Sequence, residues 1–409
     1  MKTAYFTGLR SLEIGEAPMP AIGRPGEVLL RIDRVGVCGS DVHYYVHGRI
    51  GNQTVAYPAT LGHECAGTVV DVGQASSLSS VEQVSSRPAS SVEQASSLSA
   101  PRQVGNLPHN LRPGTRVAID PAIVCGQCDQ CRAGRENTCR NIQFLGSPGQ
   151  APGAVAEYHV LPAENCVPIP DDMSLDVAVL VEPLSIGLYA VRVSPLDNAK
   201  GTGPCFRSTS ESTSTSFGRK MDQSPASVQS IGILGCGPIG LSVLLCAKAA
   251  VACKVYMTDL LDERLAVARA CGADWSGSAT VLADATTAIH EQEPLGLDVV
   301  FECSGDPACI DQAQQLLKPG GTLMLVGIPP TVEVQFDAHL MRTKELTFRS
   351  VRRQNGCVAP AVELLHSGRI DAAPLLTHQF PLDRIRDAFE LVAGYRDGVI
   401  KAVVDLSGA

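Results

Sequence analysis

The sequence predicts an α/β protein in which a β-rich body is followed by a doubly wound, parallel sheet, with two low-complexity insertions. Three observations carry this. Short alternating or apolar runs punctuated by Gly and Pro fill residues 1 to 75. After Ser230 apolar strands alternate with helical patterns, the mark of a parallel sheet with helices on both faces. Two Ser-rich tracts with no hydrophobic face interrupt both patterns.

At 409 residues the chain has room for two or three domains and a sizeable core. Hydrophobic residues make up 44% and charged residues 18%, which suits a folded enzyme and excludes a disordered chain. With a formal net charge of −9 and no long Lys/Arg run, a nucleic-acid partner is not expected. The opening residues lack the apolar core and cleavage site of a signal peptide, and no apolar run reaches the length of a membrane span. Fifteen cysteines without a secretory signal predict reduced thiols, metal ligation and a cytoplasmic location.

In chain order, Val28 to Cys38 and Gly67 to Gly73 read as strands. Between them, Cys38 and the pair His63, Glu64 flank a polar, aromatic stretch with Ser40, Asp41, His43 and Tyr44, expected to form a loop. A thiolate, an imidazole and a carboxylate are what a catalytic zinc accepts when one position stays open. The plainer alternative is a buried Cys, a surface His and a salt-bridged Glu. Gln74 to Arg102 repeats SSVEQ and ASSLS and reads as a surface insertion enlarging one β-turn before folded sequence resumes at Leu111. Cys125, Cys128, Cys131 and Cys139 follow in C-x2-C-x2-C-x7-C spacing, able to close a tetrahedral zinc, with an iron–sulfur cluster as the chemical rival. Helical spacing from Met173 carries Glu182 in an apolar context: either a helix-end carboxylate at the surface or one aimed at the metal. The second tract runs from about Asn198 to Gln229.

The apolar strand SIGIL then leads into Gly235-Cys-Gly237-Pro-Ile239-Gly240 and an apolar helix. A second strand ends at Asp259, nineteen residues past Gly240. Strand, glycines, helix and acid in this order form a dinucleotide-binding fingerprint. Asp259 can accept from ribose hydroxyls and disfavours a 2′-phosphate, so NAD is preferred over NADP. Arg264 can cover the adenine or pair with Asp259. Helices Leu261 to Cys271, Val281 to Glu293 and Pro307 to Leu317 alternate with strands whose carboxyl ends bring Cys303, Ser304, Val326, Gly327 and Ile328 to the ligand crevice. The tail, Cys357 to Leu406, holds two amphipathic helices and the strand VIKAVVDL, expected to return to the first body.

In this order the motifs VGVCGSDVHYYVHGRIG, LGHECAGTV, VEPLSIG, GCGPIG and GGTLMLVG resemble the zinc-containing medium-chain alcohol dehydrogenase family, and within it the sorbitol/xylitol (polyol) branch. The resemblance implies a GroES-like catalytic domain over 1–183 with an insertion at 74–110. It implies a Rossmann NAD-binding domain over 184–346 with an insertion at 198–229, and a return to the catalytic domain over 347–409. It implies a catalytic zinc on Cys38, His63 and Glu64, approached by Glu182, and a structural zinc on Cys125, Cys128, Cys131 and Cys139. Tyr44 and Arg352 match the substrate-side residues; the next position, often Tyr in animal sorbitol dehydrogenases, is Arg353 here. The implied reaction is oxidation of a small polyol, with hydride passing to NAD and the proton leaving through Ser40 and the nicotinamide ribose to His43. A homo-oligomer, tetramer or dimer, is implied too. A diol or amino-alcohol dehydrogenase and a non-catalytic NAD-binding protein are the alternatives.

Overall fold

The computed structural model describes residues 1–73, 111–196 and 228–408. The two Ser-rich tracts lie outside the described residues, apart from the last two positions read with the second. Val228 is buried in the core, and the Gln229 N–H donates to Asp298 at 2.8 Å, so folded structure begins before Ser230.

The chain opens with β1 (Lys2–Gly8), β2 (Ser11–Glu16) and β3 (Glu27–Gly36). Helix α1 (Gly39–His47) follows, then the two-residue strands β4 (Arg49–Ile50) and β5 (Gln53–Thr54), and β6 (Glu64–Val72). Next come β7 (Arg116–Ile119), β8 (Ala122–Ile123), α2 (Asp129–Arg132), β9 (Gln143–Phe144), β10 (Tyr158–Pro162) and β11 (Cys166–Pro168). Helices α3 (Leu175–Ala178) and α4 (Val181–Arg192) lead towards the second body.

That body alternates strictly: β12 (Ser230–Leu234), α5 (Pro238–Ala250), β13 (Lys254–Asp259), α6 (Asp262–Ala270), β14 (Trp275–Ser278), α7 (Leu282–Gln292) and β15 (Leu297–Glu302). It continues through α8 (Pro307–Leu316), β16 (Leu317–Leu325), α9 (Ala338–Thr343) and β17 (Thr347–Ser350). The tail adds α10 (Val358–His366), β18 (Leu376–Pro381), α11 (Ile385–Ala393) and β19 (Lys401–Asp405).

The second sheet has the order β14-β13-β12-β15-β16-β17, with every pairing parallel. The chain therefore winds outward in both directions from β12, and the crevice opens where the winding reverses. In the first body the order is β11-β7-β6-β3-β19-β18, with β10 also on β3. β19 joins β3 antiparallel, so the last strand closes the first sheet. The rings of Phe6, Tyr45 and Phe389 meet at centroid distances of 5.1 to 5.9 Å and pin α1 and α11 to β1, which pairs with β2 in a separate two-stranded sheet.

Two expectations change. The polar stretch after Cys38 is a helix, not a loop: Asp41, Tyr44 and Tyr45 are its buried residues at i, i+3 and i+4, and left-handed Gly48 ends it with its N–H on the Tyr44 carbonyl. Both domain limits also move. The limit at 183/184 falls inside the continuous helix α4. The limit at 346/347 cuts off β17, which pairs with β16 as the edge strand of the parallel sheet.

Candidate active site

Sheet register builds the first cluster. Glu64 opens β6 opposite Gly36 on β3, and Cys38 lies two residues past Gly36 in extended conformation at the start of α1. One ligand atom each from Cys38, His63 and Glu64 therefore converges to within 4.8 Å of the others. Thiol, imidazole and carboxylate in this spacing fit a zinc ion with an open position. Asp41 faces His63 Nδ1 at 3.4 Å, which leaves Nε2 as the ligand atom. Burial opposes an imidazolium here, but Asp41 and Cys38 outweigh it and hold the His63 pKa well above its ordinary value. The Ser40 hydroxyl donates to the Cys38 sulfur at 3.3 Å. Cys65 is buried on the other side of the strand, its Sγ 3.8 Å from the His63 carbonyl, and lies outside the cluster.

A lysine that the sequence reading did not single out completes this cluster. Lys401 Nζ donates to both Glu64 oxygens, at 2.5 and 2.7 Å, and to the Val37 carbonyl at 3.3 Å. Lys401 and Glu64 are each 1% exposed. Burial works against the ammonium, but Glu64 and, behind it, Cys38 raise its pKa nonetheless. The one available signal was a lysine set between Ile400 and Ala402 in the largely apolar run VIKAVVDL.

Glu182 sits in the first turn of α4, buried beside the cluster but not among its three ligand atoms. Burial pushes its pKa up to about 7, with His63 opposing and Glu64 reinforcing the shift. Tyr44 is buried and donates to Gln53 Oε1 at 3.2 Å. His43, half-buried, has its pKa lowered by burial and by His47. Ser40 and His43 stand three residues apart on α1, hence on one helix face.

The two arginines after β17 part company. Arg352 is exposed and donates through Nε to the Asn137 carbonyl at 3.3 Å. Arg353 instead lays its guanidinium 3.7 Å over the Phe144 ring, whose centroid is 5.2 Å from that of His63. The residue expected on the substrate side thus faces outward, and its neighbour faces in.

The four cysteines of the lobe between β8 and β9 bring their sulfurs within 4.8 Å of one another. Backbone N–H groups of Gln127 and Cys128 hold the Cys125 thiol down at about 6, and those of Arg140 and Cys131 lower Cys128, whereas burial raises Cys131 and Cys139. Four sulfurs in a shell that already favours thiolate at two positions fit a closed tetrahedral ion.

In the parallel sheet, Gly235 takes φ of 100°, a left-handed turn that favours glycine, and a Cβ on Gly240 would run into the Gly235 carbonyl. Asp259 puts one oxygen on this turn, accepting from Cys236 N at 2.6 Å, and the other on Leu261 N at 3.0 Å, at the start of α6. Gly237 caps α5, and Ile239 packs against the core. Val326 N and Gly327 N donate to the Glu302 carbonyl, while Ile328 beyond them is 51% exposed. Arg264 does not pair with Asp259: it donates to the Val399 carbonyl at 3.1 and 3.4 Å, and Tyr395 stacks over it at 5.0 Å.

The alcohol dehydrogenase GroES-like domain model matches residues 24–97 and 102–171, and the zinc-binding dehydrogenase model matches 238–367. A sorbitol dehydrogenase of Bacillus subtilis (strain 168) is 31% identical over 407 residues, covering 99% of this chain and 97% of that one. An L-idonate 5-dehydrogenase of Vitis vinifera is 31% identical over 396 residues, covering 95% and 91%. Among solved structures, an Escherichia coli oxidoreductase/dehydrogenase of unknown specificity, involved in membrane biogenesis, superposes with a TM-score of 0.76 at 27% identity and 99% coverage of both chains.

Proposed function

The chain belongs to the zinc-binding alcohol dehydrogenase family, in its polyol dehydrogenase branch, and from that membership we propose that it oxidises a sugar alcohol such as sorbitol or xylitol to the ketose with NAD as hydride acceptor. The observation that carries this is the convergence of Cys38, His63 and Glu64, with Glu182 beside them on a helix that packs directly against α5. A zinc ion on those three residues supplies Lewis acidity towards a substrate hydroxyl, and a nicotinamide dinucleotide on the Gly235–Gly240 turn supplies hydride acceptance.

The residues of the chain do the rest. Asp41 orients His63, and Ser40 steadies the Cys38 sulfur. Ser40 and His43, on one face of α1, would carry the substrate proton towards solvent, and burial and His47 lower the His43 pKa, which favours its neutral, proton-accepting form. Tyr44 presents a phenol to the substrate side. Asp259 supports NAD over NADP because a 2′-phosphate would meet its carboxylate. The four-cysteine lobe holds a second, structural zinc. We further take the enzyme to be a cytoplasmic homo-oligomer, tetramer or dimer; the described cysteines are all free thiols, which suits a reducing compartment. No helix among the described residues is long and apolar enough to cross a membrane.

Turnover of sorbitol, xylitol, 2,3-butanediol and threonine with NAD and with NADP, followed at the nicotinamide absorbance, tests the reading. The expected result is NAD reduction with a polyol. Faster reaction with the diol or with threonine, or a preference for NADP, overturns it.

A further inference from the structure

We propose that the substrate is a polyol carrying a terminal anionic group, carboxylate or phosphate, and that Arg353 is the residue that recognises it. This rests on the dehydrogenase reading above and names its substrate class.

The backbone delivers Arg353 with unusual definition. It is a non-glycine residue with φ of 53°, a conformation that side chains bearing a Cβ disfavour and that persists where the surroundings impose it. Both flanks are anchored to the first body. The Arg352 carbonyl accepts from Asn137 Nδ2 at 2.9 Å, and Gln354 Nε2 donates to Asp120 at 2.8 Å. Between these two anchors the chain turns, sending Arg352 out and Arg353 in over Phe144. One aromatic ring then separates the guanidinium from His63 of the candidate metal cluster.

No carboxylate among the described residues touches the guanidinium. Its Nη1 is shielded from solvent and has no hydrogen-bond partner there. Of the acids whose charge reaches it, Asp120 is engaged with Ala122 N and Gln354, and Glu182, its own pKa pushed up to about 7 by burial, makes no hydrogen bond to it. The face of Phe144 offers cation–π attraction but no acceptor. A desolvated, unpaired cation is unfavourable unless something supplies both charge and acceptor atoms. A neutral hydroxyl supplies only the acceptor. A carboxylate or phosphate supplies both, and its two oxygens match the fork of a guanidinium. Burial, with Arg352 adding like charge, lowers the Arg353 pKa to about 10, which still leaves it cationic at pH 7.

The test compares kcat/KM with NAD for a hexitol, its 6-phosphate and the corresponding hexonate, in wild-type enzyme and in Arg353→Gln and Arg353→Lys. Wild type should favour at least one anion over the hexitol by about tenfold or more, chiefly through KM, and lose that preference as salt rises. Arg353→Gln should lower the anion-to-hexitol ratio by about the same factor, with Arg353→Lys retaining part of it. The separate phosphate and carboxylate arms identify which anion the site takes. A wild-type preference for the neutral hexitol, or a ratio unmoved in Arg353→Gln, overturns the proposal while leaving the dehydrogenase reading intact. If nothing is oxidised, that reading fails. Calorimetric titration of the zinc- and NADH-loaded protein with the hexonate and with the hexitol phosphate then decides the anion site: binding lost in Arg353→Gln supports it, and no binding to wild type overturns it.

Discussion

Glu64 and Lys401 form the most consequential contact in the first body, because the carboxylate has two claimants: the buried ammonium and the candidate metal. Removing one partner of a buried pair leaves an uncompensated charge at a cost of about 3–5 kcal/mol. Lys401→Met should therefore destabilise metal-free protein by about that amount, and zinc-loaded protein by less, since the metal still serves Glu64. Urea unfolding of both forms measures the difference, and an equal loss in the two would rule out a shared carboxylate. The local motifs made Cys38, His63 and Glu64 legible, because ligand type and spacing are written side by side. Lys401 was not legible, because 337 residues separate it from its partner and only strand pairing joins them. The same holds for Arg352 and Arg353: adjacency assigned the role, but a left-handed φ at Arg353 decides which side chain points inward.

At the scale of elements, the boundary between the second tract and β12 depends on one carboxylate. Asp298 Oδ2 accepts from Gln229 N at 2.8 Å and Ser230 N at 3.0 Å, and Lys318 pairs with its other oxygen. Burial tends to raise the Asp298 pKa, but Lys318 and the two N–H groups outweigh it and hold it below the ordinary value. A carboxylate with a depressed folded-state pKa contributes stability that is complete above its unfolded value, near about 3.9, and is lost as pH falls through the lower folded value. Asp298→Ala should cost about 1–3 kcal/mol at pH 7. It should also flatten the acid limb of a stability–pH profile below about pH 4, relative to wild type. Thermal melts across pH 3 to 7 check this, and parallel limbs in the two proteins would contradict it. The helix α1 carries the opposite lesson. Its i, i+3, i+4 pattern was present in the sequence, but Asp41 counts as buried only once His63 is seen to need it.

Across the whole molecule, the two bodies are joined by contacts that no single stretch announces. Helix α4 packs on α5 so closely that Gly187 faces the Ser242 backbone, which sets Glu182 beside the nucleotide-binding helix. Arg264 on helix α6 of the second body donates to the Val399 carbonyl just before strand β19. Two separate clusters of metal-type ligands in one chain, if each holds a zinc ion as proposed, predict a distinct stoichiometry. Elemental analysis should find two zinc ions per subunit, one in Cys38→Ser and one in Cys128→Ser. Cys38→Ser should lose activity while still binding NADH. Cys128→Ser should chiefly lower the melting temperature, because a closed four-sulfur shell holds its lobe together. Full turnover by zinc-poor Cys38→Ser protein would remove the metal from the mechanism.

By itself the sequence determined the alternation of strands and helices after β12, the strand–glycine–helix fingerprint, both sets of metal-type ligands and the family. These rest on local periodicity and short spacings, which a single stretch of chain carries in full. Only the tertiary structure decided that Lys401 shares Glu64, that Arg264 turns from Asp259 to Val399, and that Arg353 faces the site unpaired. Each of these is a choice of partner for a charged group across the fold, made by strand register and backbone sign. Neither quantity is encoded at the residue that makes the contact.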